Sequence, residues 1–282
     1  MSISVDKILL FISDAAAIML KAGKVLKGYF PNAMHVTCFA HGLHRICEFI
    51  REQFSDVNTL ISTFKIFLLK APSRVSLYKK ECPNLPMPPQ PVITRWGTWL
   101  QAAFFYFQHF HSIRVFVNLL PDEAVSIKEC KQIVNKPGLY DQLQLIEAHF
   151  KKIPECITFL ESQNLKLTVS FSRIEELFNE LNTIVDPLRE KLKNKIDAVV
   201  SRNPDFTLLK EISNNNFSNE AGFLKYKNLV RMFEYAPVTS CDVERSFSRF
   251  KDILTPKRSS LSDENIEKII IIQSLHNRGD DE

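Results

Sequence analysis

Strand-like patterning in this chain is confined to its first forty residues, and that confinement leaves no room for a large sheet. Lys7-Ile-Leu-Leu-Phe-Ile-Ser13 is an apolar run of buried-strand length, closed by Asp14. Ala15-Ala-Ala-Ile-Met-Leu-Lys21 then has helix-forming composition. A second strand candidate, Met34-His-Val-Thr-Cys-Phe39, follows the break at Tyr29-Phe-Pro-Asn32, and another helix starts near His41. Two strands separated by a helix predict one parallel βαβ unit, with Asp14 at a strand-to-helix turn.

From about residue 42 the apolar spacing becomes helical. Ile46, Phe49 and Ile50 mark one helix, and the stretch from Leu60 to Leu69 another. Cys82 to Pro91 contains Pro83-Asn-Leu-Pro-Met-Pro-Pro-Gln-Pro91, which cannot be helical and reads as an extended linker or lid. Further helices are expected around 95–120, 141–163, 171–200 and 222–234, with a loop at Asn214 to Asn219. Phe104-Phe-Tyr-Phe107, with Phe110 and Phe116, reads as helix-packing core rather than a base-stacking platform. The predicted fold class is mostly α with a small α/β part.

A chain of 282 residues that is 45% hydrophobic and 24% charged can bury a sizeable core. Seven glycines argue against a glycine-rich nucleotide fold. The six cysteines form no CxxC pair, and no leader or apolar run of membrane-spanning length precedes them, so a reducing intracellular compartment is expected. Neither a membrane nor a small-molecule substrate is expected as partner. A formal charge of +4 does not by itself identify a nucleic-acid partner.

The last sixty residues are the second informative region. Thr239 or Ser240 can cap a helix in which Val243, Phe247, Phe250 and Leu254 recur at spacings of four, three and four, forming one apolar stripe. Glu244 lies about 100° around the helix from Val243. Arg245, Arg249, Lys251, Lys257 and Arg258 surround it and can approach phosphates, although surface charge on an amphipathic helix explains them as well. Ser262-Asp-Glu264 supplies an N-cap and acidic first turn to a helix carrying Ile266, Ile269, Ile270, Ile271, Ile272 and Leu275. So much isoleucine needs cover on more than one side. Ile266, Ile269, Ile270 and Leu275 are therefore the candidate dimerisation face for a homodimer or higher oligomer, the alternative being packing within the chain.

Four motifs occur in a telling order: Ser13-Asp14-Ala15-Ala16, Cys38-Phe-Ala-His41, Thr94-Arg95-Trp96, and Val243-Glu244-Arg245-Ser246-Phe247-Ser248. In that order they resemble the C-terminal part of hAT-family (hobo/Activator-type) DNA transposases, including the hAT dimerisation region. The resemblance implies a partial ribonuclease-H-like core over 1–92, an all-helical insertion over 93–235, and a catalytic-Glu helix with the dimerisation region over 236–282. It implies that Asp14 and Glu244 match catalytic metal ligands, because two divalent cations about 3.5–4 Å apart need carboxylates to hold them during phosphodiester transfer. Arg95, Trp96, Arg245, Arg249 and Lys251 are the implied DNA contacts, the indole being able to stack on a flipped base. Cys38 and His41 are implied to shape the core. Nuclear location follows from the resemblance alone, with the cytoplasm as the other compartment.

Departures from the pattern bear on activity. The family's first catalytic Asp comes from an earlier strand, and here only Asp6 precedes Asp14. Across a strand of about seven residues Asp6 would sit on the order of 25 Å away, at the wrong end. Asp242 does not replace it, since positions two apart on a helix do not face the same way. Ala15 stands where the family has Asn, and Val243 where it has Ser. The catalytic site is thus incomplete in this sequence, which as it stands takes no cofactor; Mg or Mn would belong to a complete site in a longer product. The reading is a transposase-derived protein that dimerises, with DNA as a candidate ligand. The alternatives are a fragment of an active metal-dependent DNA transposase, and a zinc-stabilised helical interaction scaffold using Cys38 and His41 with His35 and His44 nearby. Asp14 as a plain N-cap and Glu244 as a solvated helix residue are the structural alternatives.

Overall fold

The computed structural model describes residues 5–69, 71–92, 96–184, 188–218, 220–254 and 261–276. Its sheet is the βαβ unit read from the sequence. β1 (Leu10–Ser13) and β2 (Met34–Thr37) pair in parallel, with Leu10 opposite Met34 and Ser13 opposite Thr37, and α1 (Ala17–Tyr29) crosses between them. Helix α1 approaches β2 closely: a Cβ on Gly23 would lie 2.0 Å from Nδ1 of the buried His35. Only a residue without a side chain fits there.

Helices follow as α2 (Phe39–Gln53), α3 (Ser55–Leu69), α4 (Pro72–Glu81), α5 (Thr98–Gln108), α6 (Phe110–Leu119), α7 (Val125–Val134), α8 (Leu139–Phe150), α9 (Lys152–Leu160), α10 (Leu167–Leu181), α11 (Leu188–Ser201), α12 (Phe206–Ser213) and α13 (Glu220–Tyr226). The proline-rich segment from Cys82 to Pro91 contains no helix or strand. Helices α4, α7 and α12 were not foreseen. Each is short, and α7 buries Ile127, Cys130, Ile133 and Val134 over ten residues. The helix expected over 171–200 is broken after Leu181 and resumes at Leu188.

The core is helical and rich in aromatic rings. Phe64 and Phe67 of α3, Tyr78 of α4, Tyr106 of α5 and Phe116 of α6 meet mostly edge to face, with centroids 5.3 to 6.4 Å apart. Edge-to-face contact sets the positive rim of one ring against the negative face of the next. The aromatic stretch from Phe104 to Phe107 thus belongs to packing, with Phe105 and Tyr106 buried. Helix α3 packs on α7, and α11 on α2, so the first ninety residues and those of the expected insertion share one compact unit, Met1–Val238. A second unit, Thr239–Glu282, holds α14 (Cys241–Ile253) and α15 (Asp263–His276). Among the described residues no helix is long and apolar enough to cross a membrane.

Among the described residues the far edge of β2 is closed without a third strand. Asn203 Oδ1 accepts the Thr37 N–H at 2.8 Å, and Asn203 Nδ2 donates to the Thr37 carbonyl at 2.9 Å. Two residues on, Asp205 Oδ2 accepts the His35 N–H at 2.7 Å while the Asp205 N–H donates to the His35 carbonyl at 3.2 Å. Positions 35 and 37 are the alternate residues that a neighbouring strand would engage. Lys27 of α1 pairs with the same Asp205 carboxylate at 2.5 Å. Asn203→Ala leaves both Thr37 backbone groups buried without these partners, and should cost about 2–4 kcal/mol of unfolding free energy in urea titration. Phe116→Ala, which removes a ring from the aromatic cluster, should cost about 3–5 kcal/mol in the same measurement.

Candidate functional site

The first motif sits at the end of β1. Ser13 Oγ donates to the Asp14 carbonyl at 2.7 Å and lies 2.9 Å from His35 Nε2, so the buried imidazole holds the strand end from below. Asp14 itself is exposed, and its Oδ1 accepts the Ala16 N–H at 3.0 Å. That two-residue step is an Asx turn. It delays the helix, which starts at Ala17 with Ala16 in the N-cap position rather than at Ala15 as the composition suggested. Asp14 is therefore a turn residue with an accessible carboxylate and not the cap of α1.

Described residues from three of the four motifs are brought together within the first unit. The Cys38 N–H donates to the Ser13 carbonyl at 2.7 Å, continuing the β1–β2 ladder by one residue and placing Cys38 as the N-cap of α2. One turn later the His41 ring meets Trp96 edge to face, with centroids 4.8 Å apart. Cys38 is buried, and Trp96 is half-buried ahead of α5. Gly97 follows it with φ +68°, a left-handed conformation that turns the chain into α5 beside Pro154. Trp99, a turn further, donates from Nε1 to Asn58 Oδ1 at 3.2 Å. Arg95 lies outside the described residues. Among the described residues no group of three or more His, Cys, Asp or Glu side chains is placed to hold a metal ion.

The fourth motif lies in the second unit, on α14. Ser240 occupies the N-cap position, and its Oγ donates to Glu244 Oε1 at 3.2 Å instead of capping a backbone N–H. Arg245 pairs with Asp242 at 2.7 Å, and Lys251 is exposed. The side chains of Arg249 and Leu275 fall outside what is described. Helix α15 packs on α14. Its Ser262 caps as the sequence suggested, Oγ accepting the Asn265 N–H at 3.4 Å. Ile266 is buried and Ile269 and Ile270 half-buried, a row at spacings of three and four, whereas Ile271 and Ile272 are exposed.

Residues 223–275 match the hAT family C-terminal dimerisation region. The match runs from within α13 to the last turn of α15, so that stretch is similar to the dimerisation region of the hAT family. Of the four ordered motifs, the one from Val243 to Ser248 lies within the matched residues. No curated protein matches the chain.

Asn203 and Asp205 are the positions that sequence reading missed. Arg202-Asn-Pro-Asp205 carries a turn signal, but nothing local reveals that its side chains reach a strand more than 160 residues away. His35, which that loop borders, is held below the ordinary imidazole range by burial, opposed by Asp205 and reinforced by Lys27. His44 is lowered in the same way by burial, opposed by Glu48 and reinforced by His41 and Arg51; its buried Nδ1 takes no hydrogen bond among the described residues. A folded-state pKa below the unfolded value means that the unfolded chain binds the proton first. Stability is then complete above the unfolded value, 6.5, and is lost as pH falls through the folded values. The melting temperature should therefore drop between pH 7.5 and 5.5, and His44→Gln should shrink that drop in differential scanning calorimetry.

Proposed function

We propose that this chain is a transposase-derived protein that works as a dimer joined through its C-terminal region. The match of residues 223–275 to a dimerisation region carries this reading. Exposure of large apolar side chains on α14 and α15 supports it, because such patches ordinarily mark association surfaces. DNA fits the same reading as a partner, in the nucleus, with Trp96, Arg245 and Lys251 as contacts: an indole for stacking and cations for phosphate.

A second reading is a fragment of an active metal-dependent DNA transposase, in whose longer product Asp14 and Glu244 would belong to a complete site for Mg or Mn. The accessible Asp14 carboxylate at the end of β1 favours it. Manganese-dependent nicking of a DNA duplex by the longer product, lost in both Asp14→Asn and Glu244→Gln, would support the enzyme; absence of nicking by that product would remove it.

Light scattering on the purified chain tests the first reading. A dimer should give twice 32.6 kDa at micromolar concentration. A mass of 32.6 kDa that persists to hundreds of micromolar would overturn it.

A further inference from the structure

Helix α14 is amphipathic in the wrong sense for a lone chain. Val243, Phe247, Phe250 and Leu254 are 50%, 66%, 39% and 45% exposed, while Ile253 and Cys241, on other sides of the helix, are 1% and 6% exposed. At about 100° per residue the four exposed side chains span roughly 60° of the helix circumference. An ordinary surface helix turns such a stripe inward. Here the stripe faces out, and it lies wholly inside the matched dimerisation region.

The geometry points to a second copy of this chain as the occupant, docked antiparallel on the α14 stripe about a two-fold axis between Phe247 and Phe250. This rests on the dimerisation reading above and names its surface. Spacings of four, three and four read the same in both directions, so a two-fold pairing sets Val243 against the partner copy's Leu254, and Phe247 against its Phe250. An isologous interface requires that self-complementarity. Charge follows the same symmetry: Glu244 and Lys251 lie on one flank of the stripe, about 100° and 80° from Val243, and the two-fold brings each Glu244 beside the other copy's Lys251. Covering the stripe buries on the order of 300–400 Å² of apolar surface per copy, about half of the roughly 800 Å² typical of a stable interface. Flanking side chains must supply the rest, so the pair is a moderate rather than a tight dimer.

Light scattering of the full chain and of Phe247→Asp, with Ile271→Asp on α15 as a control, tests the assignment. The expected result is a dimer for the parent and for Ile271→Asp, and a monomer for Phe247→Asp with unchanged helical circular dichroism. A second measurement does not depend on an aspartate being tolerated. Chains carrying Phe247→Cys and Phe250→Cys are mixed and oxidised; because the six native cysteines are buried, a crosslinked dimer that forms in the mixture more readily than in either variant alone reports this register. If the parent is a dimer but Phe247→Asp stays dimeric, Ile271→Asp becomes monomeric, or the mixture crosslinks no better than the single variants, the α14 surface is wrong while the dimerisation reading stands. A monomeric parent removes both.

Discussion

The second edge of β2 is closed by the side chains of Asn203 and Asp205, and much of the first unit depends on that closure. A four-residue strand with one neighbour cannot satisfy its own backbone, and buried unpaired N–H and C=O groups cost too much to persist. By bonding to Thr37 and His35 at alternate positions, the loop ahead of α12 does the work of a third strand. The same Asp205 draws in Lys27 from α1. One loop thereby ties the helix before β2, the strand itself and the late helices into a single unit.

Around that anchor the motifs acquire physical roles. Ser13, Cys38, His41 and Trp96 are linked by a backbone hydrogen bond at one end and an edge-to-face ring contact at the other. These contacts place the end of β1, the start of α2 and Trp96 next to one another. Asp14 stands apart from them as the exposed member, its carboxylate held by a local turn bond.

The second unit is governed by a different constraint. Its two helices carry more apolar surface than two helices can hide from each other. The row Ile266, Ile269 and Ile270 is taken up within the chain to varying depth, and what remains outside is the α14 stripe with Ile271 and Ile272. Marginal burial of this kind is typical of association surfaces, and these residues lie within the stretch similar to the hAT dimerisation region.

The sequence by itself determined the βαβ start, the helical character of the rest, the proline-rich break, the aromatic core of α5 and the cap of α15, because each of these is set by residues within a turn or two of one another. The resemblance of the last sixty residues to the hAT dimerisation region was equally legible, since motif order and spacing carry it whatever those residues touch. Only the tertiary structure decided that Asp14 is an Asx-turn residue instead of a cap, that Asn203 and Asp205 seal β2, and which side of α14 is left bare. An apolar stripe at helical spacing looks the same in sequence whether it faces a core or a partner. Its direction is fixed by what packs on the other side of the helix, and those contacts come from residues that no local pattern connects.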